Sequence, residues 1–199
     1  MWDLPFGYRL ALAAALLIVA SGVEFACKGP GAVRWRGTLI IMAGAMCGGA
    51  FGIAVDSITS AISPAYFAVG KGLGWGDDLT HRARVLGLQA GCSAGVVIAC
   101  VLTYFNFRVT PGAAPLPILR VVRSFAGLAL ASLCGAVALA LVFLACALGD
   151  VGLGVPMGVA SEEREPFLLV WGAHTGLYAG GLAGLIRASV RLREHRRIR

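Results

Sequence analysis

Five apolar stretches, near residues 8–27, 37–55, 85–105, 121–148 and 167–186, leave this chain few ways to fold. Each reaches or approaches the ~20 residues that a helix needs to cross the ~30 Å hydrocarbon core of a bilayer. Hydrophobic residues make up 58% of the chain and charged residues 14%, whereas a soluble domain is nearer half apolar and a quarter charged. The expected fold is all-α: a polytopic helical membrane bundle with about five transmembrane spans, forming a single integral membrane domain over residues 1–199.

The basic residues alternate between the connecting segments. Arg187, Arg191, Arg193, Arg196, Arg197 and Arg199 follow the last stretch; Lys28, Arg34 and Arg36 lie between the first and second; Arg108, Arg120 and Arg123 lie between the third and fourth. The opposite side holds Arg9, Lys71, Arg82, Arg84 and Arg164. The positive-inside rule then predicts a multi-pass protein of the bacterial inner membrane, N-terminus outside and C-terminus cytoplasmic. Arg82 and Arg84 run against the rule. The net charge of +7 therefore points to topology and to anionic lipid at the Arg-rich C-terminus, not to nucleic acid.

The first stretch does not read as a cleaved signal peptide. It lacks a basic n-region, has Asp3 early, and offers no A-x-A site directly before Cys27. The cysteines, Cys27, Cys47, Cys92, Cys100, Cys134 and Cys146, lie in or at the ends of apolar spans without a C-x-x-C pair. They read as small hydrophobes rather than as a disulfide or thiolate framework.

Glycines recur every four residues in three spans: Gly44, Gly48 and Gly52; Gly87, Gly91 and Gly95; Gly172, Gly176, Gly180 and Gly184. At ~100° per residue, each set forms one ridge along its helix. Such ridges let backbones approach closely, which implies a tight bundle or an oligomer. His174, Tyr178 and Leu185 form a second stripe opposite the ridge of the fifth span, as Gln89 and Ser93 do on the third. The Leu/Ala/Val-rich first and fourth spans are then the lipid-facing candidates.

Asp56 to Arg84 is no ordinary loop. Ser63-Pro64 predicts a short helix, with Ser63 as N-cap and Pro64 at its first position. Gly70 or Gly72 would end it, and Trp75 suits a membrane interface. This segment reads as an interfacial or partly re-entrant helix on the outer face. Acids Glu162, Glu163 and Glu165 precede the fifth span and complement its dipole.

The residues Gly52, Asp56, Thr59, Ile62, Ser63, Pro64, Tyr66 and Phe67 follow a pattern, G-x-x-x-D-x-x-T-x-x-I-S-P-x-Y-F. This segment resembles one in an uncharacterised bacterial polytopic membrane-protein family, Y-G-x-x-H-D-Q-x-T-x-x-I-S-P-E-Y-F. Ala173-His174 with Gly180-Gly181 resembles its A-H-N…G-G segment more loosely. Val55, Ser57 and Ala65 stand where that family has His, Gln and Glu, which would deplete a metal or acid–base site carried over from it. The resemblance implies a membrane fold and no particular activity.

The candidate functional polar cluster is Asp56, Thr59, Ser63, Tyr66, Lys71, His174 and Tyr178. Asp56 and His174 are expected on the same side at comparable depth, and ionisable groups inside a bilayer mark function by default. The structural alternative is that His174 bonds a carbonyl or Thr while Asp56 caps the following helix. A metal would need His81, Asp77 or Asp78 to join them, yet no H-x-x-x-H or H-E-x-x-H spacing is present. No nucleophile elbow and no phosphate loop is present either. The sequence calls for no catalytic residue, metal or cofactor.

Three functions stay open. The first is a non-enzymatic membrane component that packs with itself or in a larger complex through its glycine ridges. The second is transport of a small solute, cation or proton through Asp56 and His174. The third is a membrane enzyme with an outer-face site.

Overall fold

The structure, a computed structural model, describes residues 5–29, 32–107, 116–149 and 151–197. The apolar stretches form five long helices: α1 (Phe6–Lys28), α2 (Arg34–Ile62), α3 (Leu79–Phe107), α4 (Ile118–Leu148) and α5 (Arg164–Arg197). A π-helical turn, Tyr66–Gly70, separates α2 from α3, and a 3-10 turn, Ser161–Glu163, runs into α5. The described residues contain no strand. Arg108 and Arg199 lie outside the described residues, as do the side chains of Arg196 and Arg197.

Helices α1 to α4 are long and apolar enough to cross a membrane. The 34 residues of α5 are long enough, but His174, Thr175, Tyr178 and the glycines dilute its apolar run, and it is not among them. Both α2 and α3 extend beyond the stretches 37–55 and 85–105 at each end. Their 29 residues each span about 43 Å at ~1.5 Å per residue, longer than the ~30 Å core.

The glycine ridges decide how these helices pair. A Cβ on Gly48 would overlap the Gly91 carbonyl, and one on Gly91 the Gly48 carbonyl. Gly52 and Gly87 oppose each other in the same way, and Gly44 faces Gly95 and Ala99. One number falls as the other rises, so α2 and α3 are antiparallel. The ridge of α5 lies on α4: Gly172 on Leu139, Gly176 on Gly135, Gly180 on Ala131 and Gly184 on Leu128. Every glycine of the three ridges thus faces another helix of the same chain. Without side chains between them the backbones meet directly, which is how van der Waals packing drives association where lipid is as apolar as the protein.

Two antiparallel hairpins result, α2–α3 and α4–α5, and they touch near both ends. One cluster joins Phe67, Leu79 and Ala83 to Phe167 and Val170. The other joins Ile40, Ala99 and Leu102 to Val121, Leu128 and Leu192. α1 packs against α2 through Ser21 and Thr38, whose hydroxyl oxygens are 2.7 Å apart. The Glu24 carboxylate accepts from the N–H groups of Val33 (3.3 Å) and Arg34 (2.7 Å) and pairs with Lys28 at 3.1 Å. It thereby satisfies donors that the start of α2 leaves open. Most of α1 is exposed, as is a face of α4 carrying Leu130, Leu133, Val137 and Leu141.

Asn106 ties the end of α3 to the start of α4. Its Oδ1 accepts from the Leu116 N–H at 2.9 Å, and its Nδ2 donates to the Leu116 carbonyl at 3.4 Å. Both residues are buried. Asn106→Leu should therefore leave two buried backbone groups unpaired and cost about 1–3 kcal/mol. The unfolding midpoint of the purified chain in a denaturing-detergent titration measures this; an unchanged midpoint would mean that the clip does not hold the hairpins together.

Candidate functional site

Between the two end clusters the hairpins part, leaving a cavity of about 430 Å³. Its walls are mostly apolar: Gly48, Phe51 and Val55 of α2, Ala94 and Ile98 of α3, and Phe125 of α4 line it, with Leu182 and Leu185 of α5. One end carries Asp56, Lys71, His174 and Tyr178. The side opens outward, since Ala94, Tyr178 and Leu182 are exposed.

Asp56 continues the α2 ridge one step beyond Gly52. Gly87 is small enough to accommodate both, because a Cβ there would lie 2.8 Å from Asp56 Oδ2. His174 lies two residues from Gly172, ~200° around the helix, so packing the glycines on α4 turns the imidazole away from α4. The two side chains meet, with His174 Nε2 3.6 Å from Asp56 Oδ1, and are 7% and 9% exposed. That separation is longer than a hydrogen bond.

The hydrogen bond of His174 goes to Thr59, with Nε2 3.2 Å from Oγ1. Thr59 Oγ1 also lies 2.9 Å from the Val55 carbonyl. A carbonyl only accepts, so the one hydroxyl proton points to Val55, and His174 Nε2–H donates to Thr59. Asp56 accepts no hydrogen bond from a described residue beyond this loose approach by His174. The expectation that His174 bonds a threonine matches this geometry; capping of the next helix by Asp56 does not.

Ser63 supplies that capping, since its Oγ accepts from the Tyr66 N–H at 3.2 Å. The turn it starts is π-helical at Tyr66–Gly70, and Gly72 beyond it has a φ of +68°, a conformation suited to glycine. The turn delivers Tyr66 and Phe67 to His174, with ring centroids 4.9 and 5.9 Å away. Burial pushes the Tyr66 hydroxyl above its ordinary pKa. Lys71 is exposed, and its Nζ sits 5.4 Å from the Tyr66 ring centroid.

Of the seven polar residues singled out from sequence, Asp56, Lys71, His174 and Tyr178 line the cavity, while Thr59, Ser63 and Tyr66 support them from behind. His81 and Asp77 are exposed, and Asp78 pairs with Arg82 at 3.1 Å. Gln89 and Ser93 form no buried polar face: Ser93 is exposed and donates to the Gln89 carbonyl at 2.8 Å. Sequence reasoning missed the α4 wall, Phe125 and Ser132. Ser132 gave one signal, as a lone hydroxyl amid the apolar residues 127–148.

No family model matches this chain, and no curated protein or solved structure matches it.

Proposed function

We propose that this chain is a membrane-embedded binding and transport protein for a small solute that reaches the cavity between the α2–α3 and α4–α5 hairpins. The observation that carries this reading is the cavity itself, apolar along its length and ending at Asp56 and His174. Its volume lies within the range of ligand pockets. The glycine ridges, which at first favour a component packing with itself or with a larger complex, are occupied within the chain. They account for the hairpins and leave the cavity to be explained.

In this reading all five helices cross a bacterial inner membrane, N-terminus outside and C-terminus cytoplasmic. α5 counts as the fifth crossing because Gly172 to Gly184 lie along α4, itself apolar enough to span. The turn at Tyr66–Gly70 then rests at the outer interface, and the exposed Arg187, Arg191 and Arg193 meet anionic lipid on the cytoplasmic side. The likeness of residues 52–67 to a segment of a bacterial membrane-protein family agrees with the membrane assignment and adds no activity.

The test uses N-phenylnaphthylamine, a neutral apolar fluorophore, titrated into the purified chain in maltoside micelles. Saturable binding above that of empty micelles is expected. Ala94→Phe places a ring in the cavity from an exposed position, away from the glycine contacts, and should weaken binding by about tenfold or more. Equal binding by the two chains would exclude the cavity as the site.

A further inference from the structure

We infer that the occupant of this cavity is a lipophilic cation, a single apolar chain with an ammonium head placed at Asp56. This deepens the reading of the cavity as a solute site and rests on it. The Asp56 carboxylate is nine-tenths buried at the end of an apolar chamber. Its nearest donor among the described residues, His174 Nε2–H, is bonded to Thr59, and the Lys71 ammonium acts on it only at longer range, without a close ion pair. The carboxylate therefore faces the chamber with its acceptor capacity largely unfilled, where a ligand that brings a positive charge and N–H donors compensates its burial.

The surroundings favour a cation further. The Tyr178 ring lines the same end of the cavity. Aromatic faces beside a carboxylate are the means by which proteins hold ammonium groups. The other polar groups facing the chamber are His174, Lys71 and Ser132. Lys71 is the one that argues for an anion, but it is exposed at the mouth, and its ammonium is already over Tyr66. An anionic head drawn to Lys71 would sit beside Asp56 and add a second negative charge there.

The body of the ligand follows from the cavity's dimensions. From Gly44 to Asp56 the cavity runs along 12 residues of α2, about 18 Å at ~1.5 Å per residue. This is close to half of the ~30 Å hydrocarbon core, the depth of one acyl chain. The side opening past Ala94 and Leu182 admits such a chain from the lipid.

The experiment is displacement of bound N-phenylnaphthylamine by dodecylammonium, dodecanol and dodecanoate. Dodecylammonium should compete at least about tenfold better than dodecanoate, with dodecanol between them. In Asp56→Asn the neutral probe should still bind and the preference should fall to within about twofold. Lys71→Gln changes an exposed residue and should raise the preference for dodecylammonium. Competition by dodecanoate as good as that by dodecylammonium, or a preference that Lys71→Gln lowers, would overturn the cation and leave the solute site standing. Absence of saturable probe binding in the unaltered chain would instead remove the solute-site reading, and the cation with it.

Discussion

Leucine at Gly176 should prevent α4 and α5 from closing on each other. A Cβ at this position would lie 2.5 Å from the Gly135 carbonyl carbon and 2.8 Å from Ala136 Cα, and would overlap the Gly135 oxygen. These are backbone atoms, so no side-chain rotation relieves the clash. Overpacking typically costs ~1–3 kcal/mol and occasionally more; a whole leucine between two backbones belongs at or above the top of that range. Gly127 on α4 provides the control, because a Cβ there would meet nothing within 4 Å. Gly127→Leu should change stability by less than about 0.5 kcal/mol. The purified Gly176→Leu chain should elute as aggregate, or unfold at a much lower denaturing-detergent concentration. Equal behaviour of the two variants would show that α4 and α5 do not pack as described.

Phe67→Ala should be the most damaging truncation near the polar end of the cavity. The Phe67 ring is fully buried. It meets Tyr66 edge-to-face at 5.3 Å and His174 at 5.9 Å. Removing a buried phenyl typically costs ~3–5 kcal/mol, from lost transfer energy and the hole left behind. Here the hole would open beside His174, so the probe affinity should fall along with the unfolding midpoint. Ile58→Ala, on an exposed position of α2, should leave both nearly unchanged. A Phe67→Ala chain as stable as Ile58→Ala would mean that the turn after α2 is not anchored by its aromatics.

The helices and the turn were legible in the sequence for local reasons. Apolar runs of span length, Ser63 before Pro64 and glycines every fourth residue each act within a few residues of chain. The boundaries were less legible: α2 and α3 run on through Ile62 and from Leu79 because amphipathic and polar turns extend a helix beyond its apolar window. Gln89 and Ser93 misled for a related reason. Their spacing defines a face, but a serine that donates to its own helix carbonyl needs no partner from another helix. α5 illustrates the opposite limit, since its fit against α4 depends on the glycines and polar residues that lower its apolar character.

The candidate site was legible as a set of residue types and not as a place. Asp56 and His174 stand out because ionisable groups amid apolar sequence are costly. Their meeting depends on which ridge packs on which: Gly52 on Gly87 sets the height of Asp56, and Gly172 on Leu139 sets that of His174. Phe125 and Ser132 come to the same cavity from a fourth helix that carries no acidic residue or histidine to draw attention to them. The helical class, the helix-pairing residues and the chemistry of the polar end could be read from the amino-acid order, because these follow from local periodicity and the cost of burying charge. Tertiary packing settled that the ridges pair within the chain, that Thr59 accepts the hydrogen bond of the histidine N–H and that a chamber opens between the hairpins. Those outcomes rest on contacts between residues as far apart as Thr59 and His174, and a cavity is a property of surfaces that no single segment carries.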